Sequence, residues 1–143
     1  MKIGICSDHA GYEYKNRLAE VLRQDGYDIK DFGTDSPESM DYPDVAHPLA
    51  KAVEEGEVEC GIAMCGTGEG MAMTLNKHQG IRAGLAWNKE TGELIRRHNN
   101  ANVLALPARL IAFEEALAIT KVWLDTPFEG GRHLRRIEKI PLK

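Results

Sequence analysis

The chain has 143 residues, 43% apolar and 28% charged, with a formal net charge of −4. That composition is ordinary for one globular domain and offers no general attraction to nucleic acid or to an acidic membrane surface. No apolar stretch approaches the roughly 20 residues of a membrane span. The three cysteines form no Cys-x-x-Cys pair, which favours free thiols in a reducing cytoplasm.

Residues 2–7 predict a strand, and Met1 leads straight into it, so no leader is expected. Ser7-Asp8-His9-Ala10-Gly11 breaks that strand. Tyr14, Leu18, Val21 and Leu22 follow helical spacing and predict a helix over 12–25, stopped by Gly26. A second strand is expected over 27–32, then a polar loop over 33–40. Asp41-Tyr42-Pro43 opens the next helix, where proline is tolerated in the first turn. Its buried face is Val45, Leu49, Ala52 and Val53. A third strand over 60–64 leads into the glycine-rich loop and a helical stretch over 71–76. Strand four is expected over 81–86, a helix from the Asn88 cap to about His98, strand five over 102–106, and a long helix over 109–125. Asp125-Thr126-Pro127 ends that helix. After Glu129-Gly130-Gly131, residues 132–139 read as a short basic helix with little apolar surface, expected to pack on a second subunit. Five strand–helix alternations predict an α/β, Rossmann-like three-layer sandwich with a five-stranded parallel sheet.

The stretch Cys65-Gly66-Thr67-Gly68-Glu69-Gly70 stands where open α/β sheets bind ligands, at the carboxyl end of a strand. Its glycines let backbone N–H groups approach an anion. The spacing is not G-x-G-x-x-G, the loop follows the third strand, and the chain has no Gly-Lys of a P-loop. No His-Glu-x-x-His or paired-cysteine metal pattern occurs either. No cofactor and no metal are expected, and a small phosphorylated ligand fits best. The bland alternative is a tight strand–helix connection with no ligand.

Each candidate group has a structural counterpart. Cys65 near a helix N-terminus would have a raised thiolate fraction, yet most cysteines are simply buried. Cys6 and Cys60 lie within apolar strands and are read as structural. His98 could move a proton, or be a surface histidine favoured by a helix C-terminus. Asp8 and His9 could hold a hydroxyl and a phosphate, or form an ordinary turn. Arg132 and Arg136 share a helix face and could grip one anion, or belong to a solvated basic tail. His47, His78 and His133 are left as structural.

Taken together, these residues make the chain similar to the ribose-5-phosphate isomerase B family, which also includes allose- and galactose-6-phosphate isomerases. The resemblance runs nearly end to end. It rests on Asp8-His9-Ala10-Gly11, Asp41-Tyr42-Pro43, Cys65-Gly66-Thr67-Gly68, Asn76-Lys77, Gly80-Ile81-Arg82-Ala83, His98-Asn99 with Asn102-Val103-Leu104-Ala105, and Gly130-Gly131-Arg132-His133 with Arg136. It implies an aldose–ketose isomerase without metal or cofactor, a homodimer or tetramer, with the sugar phosphate bound between subunits. By the same resemblance Cys65 is the base between C1 and C2. Thr67 and the amides of Gly66, Gly68 and Gly70 stabilise the enediolate oxygen. His98 opens the ring and Asp8 holds hydroxyls. His9, Arg132 and Arg136 hold the phosphate, Tyr42 and Asn99 line the pocket, and Arg109 reaches in across the dimer interface.

The chain departs from the family pattern at Ala72, where serine is common, and at Glu69, where the position is often apolar. Met71 occupies the place of a glutamate base used by some relatives, so the thiol version of the chemistry is implied. Alternatives are a hexose-6-phosphate isomerase and a non-catalytic sugar-phosphate sensor. A redox protein using Cys65 is more distant, because no resolving cysteine is near in sequence.

Overall fold

Strands β1 (Lys2–Ser7), β2 (Asp28–Asp31), β3 (Cys60–Cys65), β4 (Ala83–Leu85) and β5 (Val103–Pro107) form one parallel sheet in the computed structural model, which describes residues 1–143. Their order is β2-β1-β3-β5-β4. β3 and β5 are buried along their whole length, which explains their unbroken apolar runs. Ile3, Ile5, Ile62, Met64, Leu104 and Leu106 pack on one face against α1 (Tyr12–Gln24) and α5 (Phe113–Asp125). Cys6, Ala63, Cys65 and Val103 pack on the other against α2 (Pro43–Glu54) and α3 (Glu69–Leu75). α4 (Lys89–Arg97) starts at Asn88, whose side chain accepts the Thr91 N–H in a capping box. α6 (Arg132–Ile137) closes the chain.

Some boundaries differ from the periodicity reading. α3 begins at Glu69, two residues ahead of Met71, because Gly68 takes φ +77° and reverses the chain there. A Cβ at Gly68 would also stand 3.1 Å from the Leu106 backbone. α5 begins at Phe113, not 109. Ala108 and Arg109 donate their N–H groups back to the carbonyls of Cys65 and Gly66, at 2.9 and 3.0 Å, which holds the chain off the helix. β4 is a three-residue edge strand. The Asn76 side chain bonds both the N–H and the C=O of Ala83, at 2.8 and 2.9 Å, and substitutes for a sheet neighbour. α6 buries His133 and Ile137 within the one chain and leaves Leu134 exposed.

Candidate active site

The sheet order places the switch point between β1 and β3, where β2 branches to one side and the rest of the sheet to the other. The Asp8 N–H donates to the Met64 carbonyl at 3.1 Å, so the two carboxyl ends meet there. Gly11 allows the approach, since a Cβ would stand 2.8 Å from the Met64 side chain.

Asp8 is buried and caps the short turn His9–Gly11, its Oδ1 accepting from the N–H groups of Ala10 and Gly11. That leaves Oδ2 for a hydroxyl. The His9 Nδ1 accepts the Met40 N–H at 3.2 Å. In the neutral ring Nε2 then carries the proton and is a donor. The amides of Gly66, Gly68 and Gly70 make no bond to a carbonyl of the chain, while Thr67 Oγ1 accepts the Glu69 N–H at 3.3 Å. Tyr42 lies over Gly70, where a Cβ would stand 2.5 Å from its Cζ. Arg109 lies over Gly66, its Cδ 3.2 Å from where a Cβ would be. Arg109 thus stands beside the loop of its own chain.

Cys65 is 4% exposed, and its side chain belongs to the cluster with Met71 and Val45. It is packed below the loop and is not a rim group, because alternation along β3 turns it toward the α2–α3 face. Met71, at the place of a possible carboxylate base, is fully buried. Glu69 is exposed. Burial pushes the Cys60 thiol up to about 11 and the Cys6 thiol higher still, so both stay protonated, as their structural reading requires.

A second cluster stands at the opposite, amino end of the strands. His98 caps the C-terminus of α4, and the chain then enters β5 at Val103. Val103 pairs with Gly61, whereas Cys65 pairs with Pro107. Four residues of strand, about 13 Å, separate the two levels. His98, Asn99, His133 and Arg136 line one cavity of about 340 Å³. The His98 and His133 rings stack, with centroids 4.5 Å apart. The pKa of His133 is lowered first by burial, then by the Arg132 charge beside it. So one chain gathers Asp8, His9, Tyr42, Cys65, Gly66, Thr67, Gly68, Gly70 and Arg109, and holds His98, Asn99, Arg132 and Arg136 elsewhere.

His133, which the sequence reading left as structural, lines this cavity beside His98. The available signal was its spacing from Ile137: four residues apart, they share the inward face of α6. His98, Glu129 and His133 have ligand atoms within 4.8 Å of one another. Arg132 and Arg136 bear on the same histidine, and two guanidinium groups there favour an anion over a cation.

The parallel sheet with its glycine loop and capped Asp-His turn at the switch point defines an α/β protein of the class that binds ligands at the carboxyl ends of its strands. The chain belongs to the family described as Ribose/Galactose Isomerase, whose pattern matches residues 3–140. It is 42% identical over 139 residues to ribose-5-phosphate isomerase B of Escherichia coli K12, covering 97% of this chain and 93% of that one. The solved ribose-5-phosphate isomerase B of Clostridium thermocellum superposes with a TM-score of 0.97 at 47% identity, covering 98% and 95% of the two chains. That of Mycoplasma genitalium, with bound ribulose-5-phosphate, superposes at 0.94 with 40% identity, covering 97% and 93%.

Proposed function

We propose that residues 1–143 form one isomerase domain that interconverts D-ribose 5-phosphate and D-ribulose 5-phosphate. The Cys65 thiolate takes the C2 proton of the open-chain aldose and returns it to C1. Between these steps the charge rests on the enediolate oxygen, held by Thr67 and the amides of Gly66, Gly68 and Gly70, while the hydroxyl proton of O2 passes to O1 so that C2 becomes the carbonyl. A preformed donor of this kind contributes about 3 kcal/mol to the transition state. His98 assists ring opening as acid and base, and Asp8 Oδ2 orients a hydroxyl. His9, Arg132 and Arg136 grip the phosphate, which fixes C2 against the sulfur. Tyr42, Asn99 and Arg109 close the walls.

The observation that carries this reading is the loop after β3: a cysteine followed by glycine amides that make no bond to a carbonyl of the chain. The second carrying fact belongs to a relative, the Mycoplasma genitalium protein, which holds ribulose-5-phosphate on the same fold. The end-to-end separation of Cys65 and His98 within a chain supports a homodimer in which one protomer supplies the thiol and its partner the stacked histidines. A tetramer would pair two such dimers. The reaction needs no metal or cofactor, and no nucleic acid or membrane partner. No helix is long and apolar enough to cross a membrane, and the cysteines are free; both suit a cytoplasmic enzyme.

The test is a coupled assay with ribose 5-phosphate and galactose 6-phosphate, with and without a chelator. Ribulose 5-phosphate should form at the same rate in both conditions. Loss of activity on chelation, or turnover of the hexose alone, would overturn the proposal.

A further inference from the structure

Lys15 is a long basic side chain, and it is 1% exposed. It does not belong to the catalytic set. Its Nζ donates to Asp31 Oδ2 at 2.6 Å and to Asn16 Oδ1 at 3.0 Å. An ion pair with one charge buried and the other partly exposed contributes modestly to stability, because the desolvation of Lys15 offsets the attraction; fixing a geometry is the best-attested use of such a pair. The question is what this pair fixes.

Asp31 ends β2, and its second oxygen, Oδ1, accepts the Gly33 N–H at 2.8 Å. Gly33 and Thr34 then bond across to Ser7: Ser7 N–H to Gly33 O at 2.8 Å and Thr34 N–H to Ser7 O at 2.9 Å. That ties the start of the loop over 33–40 to the last residue before Asp8. The far end of the same loop presents the Met40 N–H to His9 Nδ1 at 3.2 Å. The loop is therefore anchored at one end by the Lys15–Asp31 pair and selects the His9 tautomer at the other.

We propose that Lys15 is a positioning residue for substrate: through Asp31 and the loop over 33–40 it holds Met40 where its N–H keeps His9 Nδ1 an acceptor. Nε2 is then the donor turned to the phosphate. This deepens the isomerase reading and rests on it for the role of His9. Without the pair, Asp31 is hydrated, since its side chain is one-third exposed, and Gly33 loses its fixed acceptor. The loop drifts, Met40 leaves His9, and both tautomers become populated. With Arg132 and Arg136 still fixing the phosphate, the loss of one donor from His9 falls on binding of ground and transition states alike. That loss raises KM and leaves kcat nearly unchanged.

The experiment uses the full chain with Lys15→Met and, in case that variant folds poorly, Asp31→Asn. Two readouts are taken: the imidazole 15N shifts of His9 without substrate, and kcat and KM for ribose 5-phosphate. The expected result is a single Nε2–H tautomer in the wild type and a mixture in the variants, with KM raised about tenfold and kcat within about twofold. An unchanged His9 tautomer in both variants overturns the proposal, as does a fall in kcat with KM unaltered. His9→Asn separates the two levels. If it leaves KM for ribose 5-phosphate unchanged, the phosphate role in the isomerase reading fails, whereas the tautomer measurement still judges the coupling from Lys15.

Discussion

His98 and His133 lie in a near-parallel stack, 18° apart in plane, although they come from the end of α4 and the first turn of α6. The Glu129 N–H donates to the Arg97 carbonyl at 3.0 Å and ties the turn before α6 to that helix end. Two protonated rings would repel at this distance. The arrangement therefore favours at least one neutral imidazole, and His133 is the one that burial, Arg132, His98 and Arg136 hold neutral against the opposing pull of Glu129.

That gives a pH dependence with a definite sign. The His133 pKa is lowered on folding, so below about pH 6.5 the unfolded chain takes up this proton more readily than the folded one. The term is absent above that pH and costs stability as pH falls, until the folded pKa is passed. Denaturant midpoints at pH 7.5 and 5.5 should show a larger drop for the wild type than for His133→Gln. Equal drops would refute the assignment.

Cys65→Ser should lower kcat by about 10³- to 10⁴-fold, within the upper range for losing a general base, with KM little changed. A serine hydroxyl has almost no anion at neutral pH. The side chain is buried and the change keeps its shape but buries a hydroxyl among apolar groups, so stability should fall somewhat while circular dichroism still shows the native fold. Activity within tenfold of wild type would point to the exposed carboxylate of Glu69 instead.

Gly68→Ala tests the loop through its backbone. Alanine disfavours φ +77°, and its Cβ would meet the carbonyl carbon of Leu106 at 3.1 Å and Leu85 Cδ1 at 2.5 Å. A strained position of this kind costs about 1–3 kcal/mol. Relieving it moves the loop amides that are proposed to face the enediolate. Both the unfolding midpoint and kcat should fall. A drop in stability alone, with kcat intact, would remove these amides from the mechanism.

The parallel sheet was legible because β3 and β5, covered on both faces, carry unbroken apolar runs, and because glycines and prolines punctuate them. The starts of α3 and α5 were not. Helical spacing continues through Arg109 and Leu110, and only the tertiary bonds from residues 108 and 109 to Cys65 and Gly66 hold that stretch out of the helix. Similarly, the αL turn at Gly68 is decided by the close Leu106 backbone, which no local pattern reveals. Cys65 was legible as a strand-end residue, but its 4% exposure was not. Its neighbours Met71 and Val45 come from two other elements.

The separation of Cys65 from His98 was present in the sequence, since one residue ends a strand and the other ends a helix. In a parallel α/β layer the two lie at opposite ends of the strands. If the reaction needs both, neither can complete a site alone, and the proposed homodimer has two sites, each with a thiol from one protomer and a histidine from the other. Cys65→Ser and His98→Asn homodimers should each be nearly inactive. When the two are mixed and exchanged, half of the dimers are hybrids, and each hybrid has one intact site of two. Activity should return to about a quarter of wild type. No recovery, in a mixture shown by mass spectrometry to contain hybrids, would mean that the two clusters do not act on one substrate.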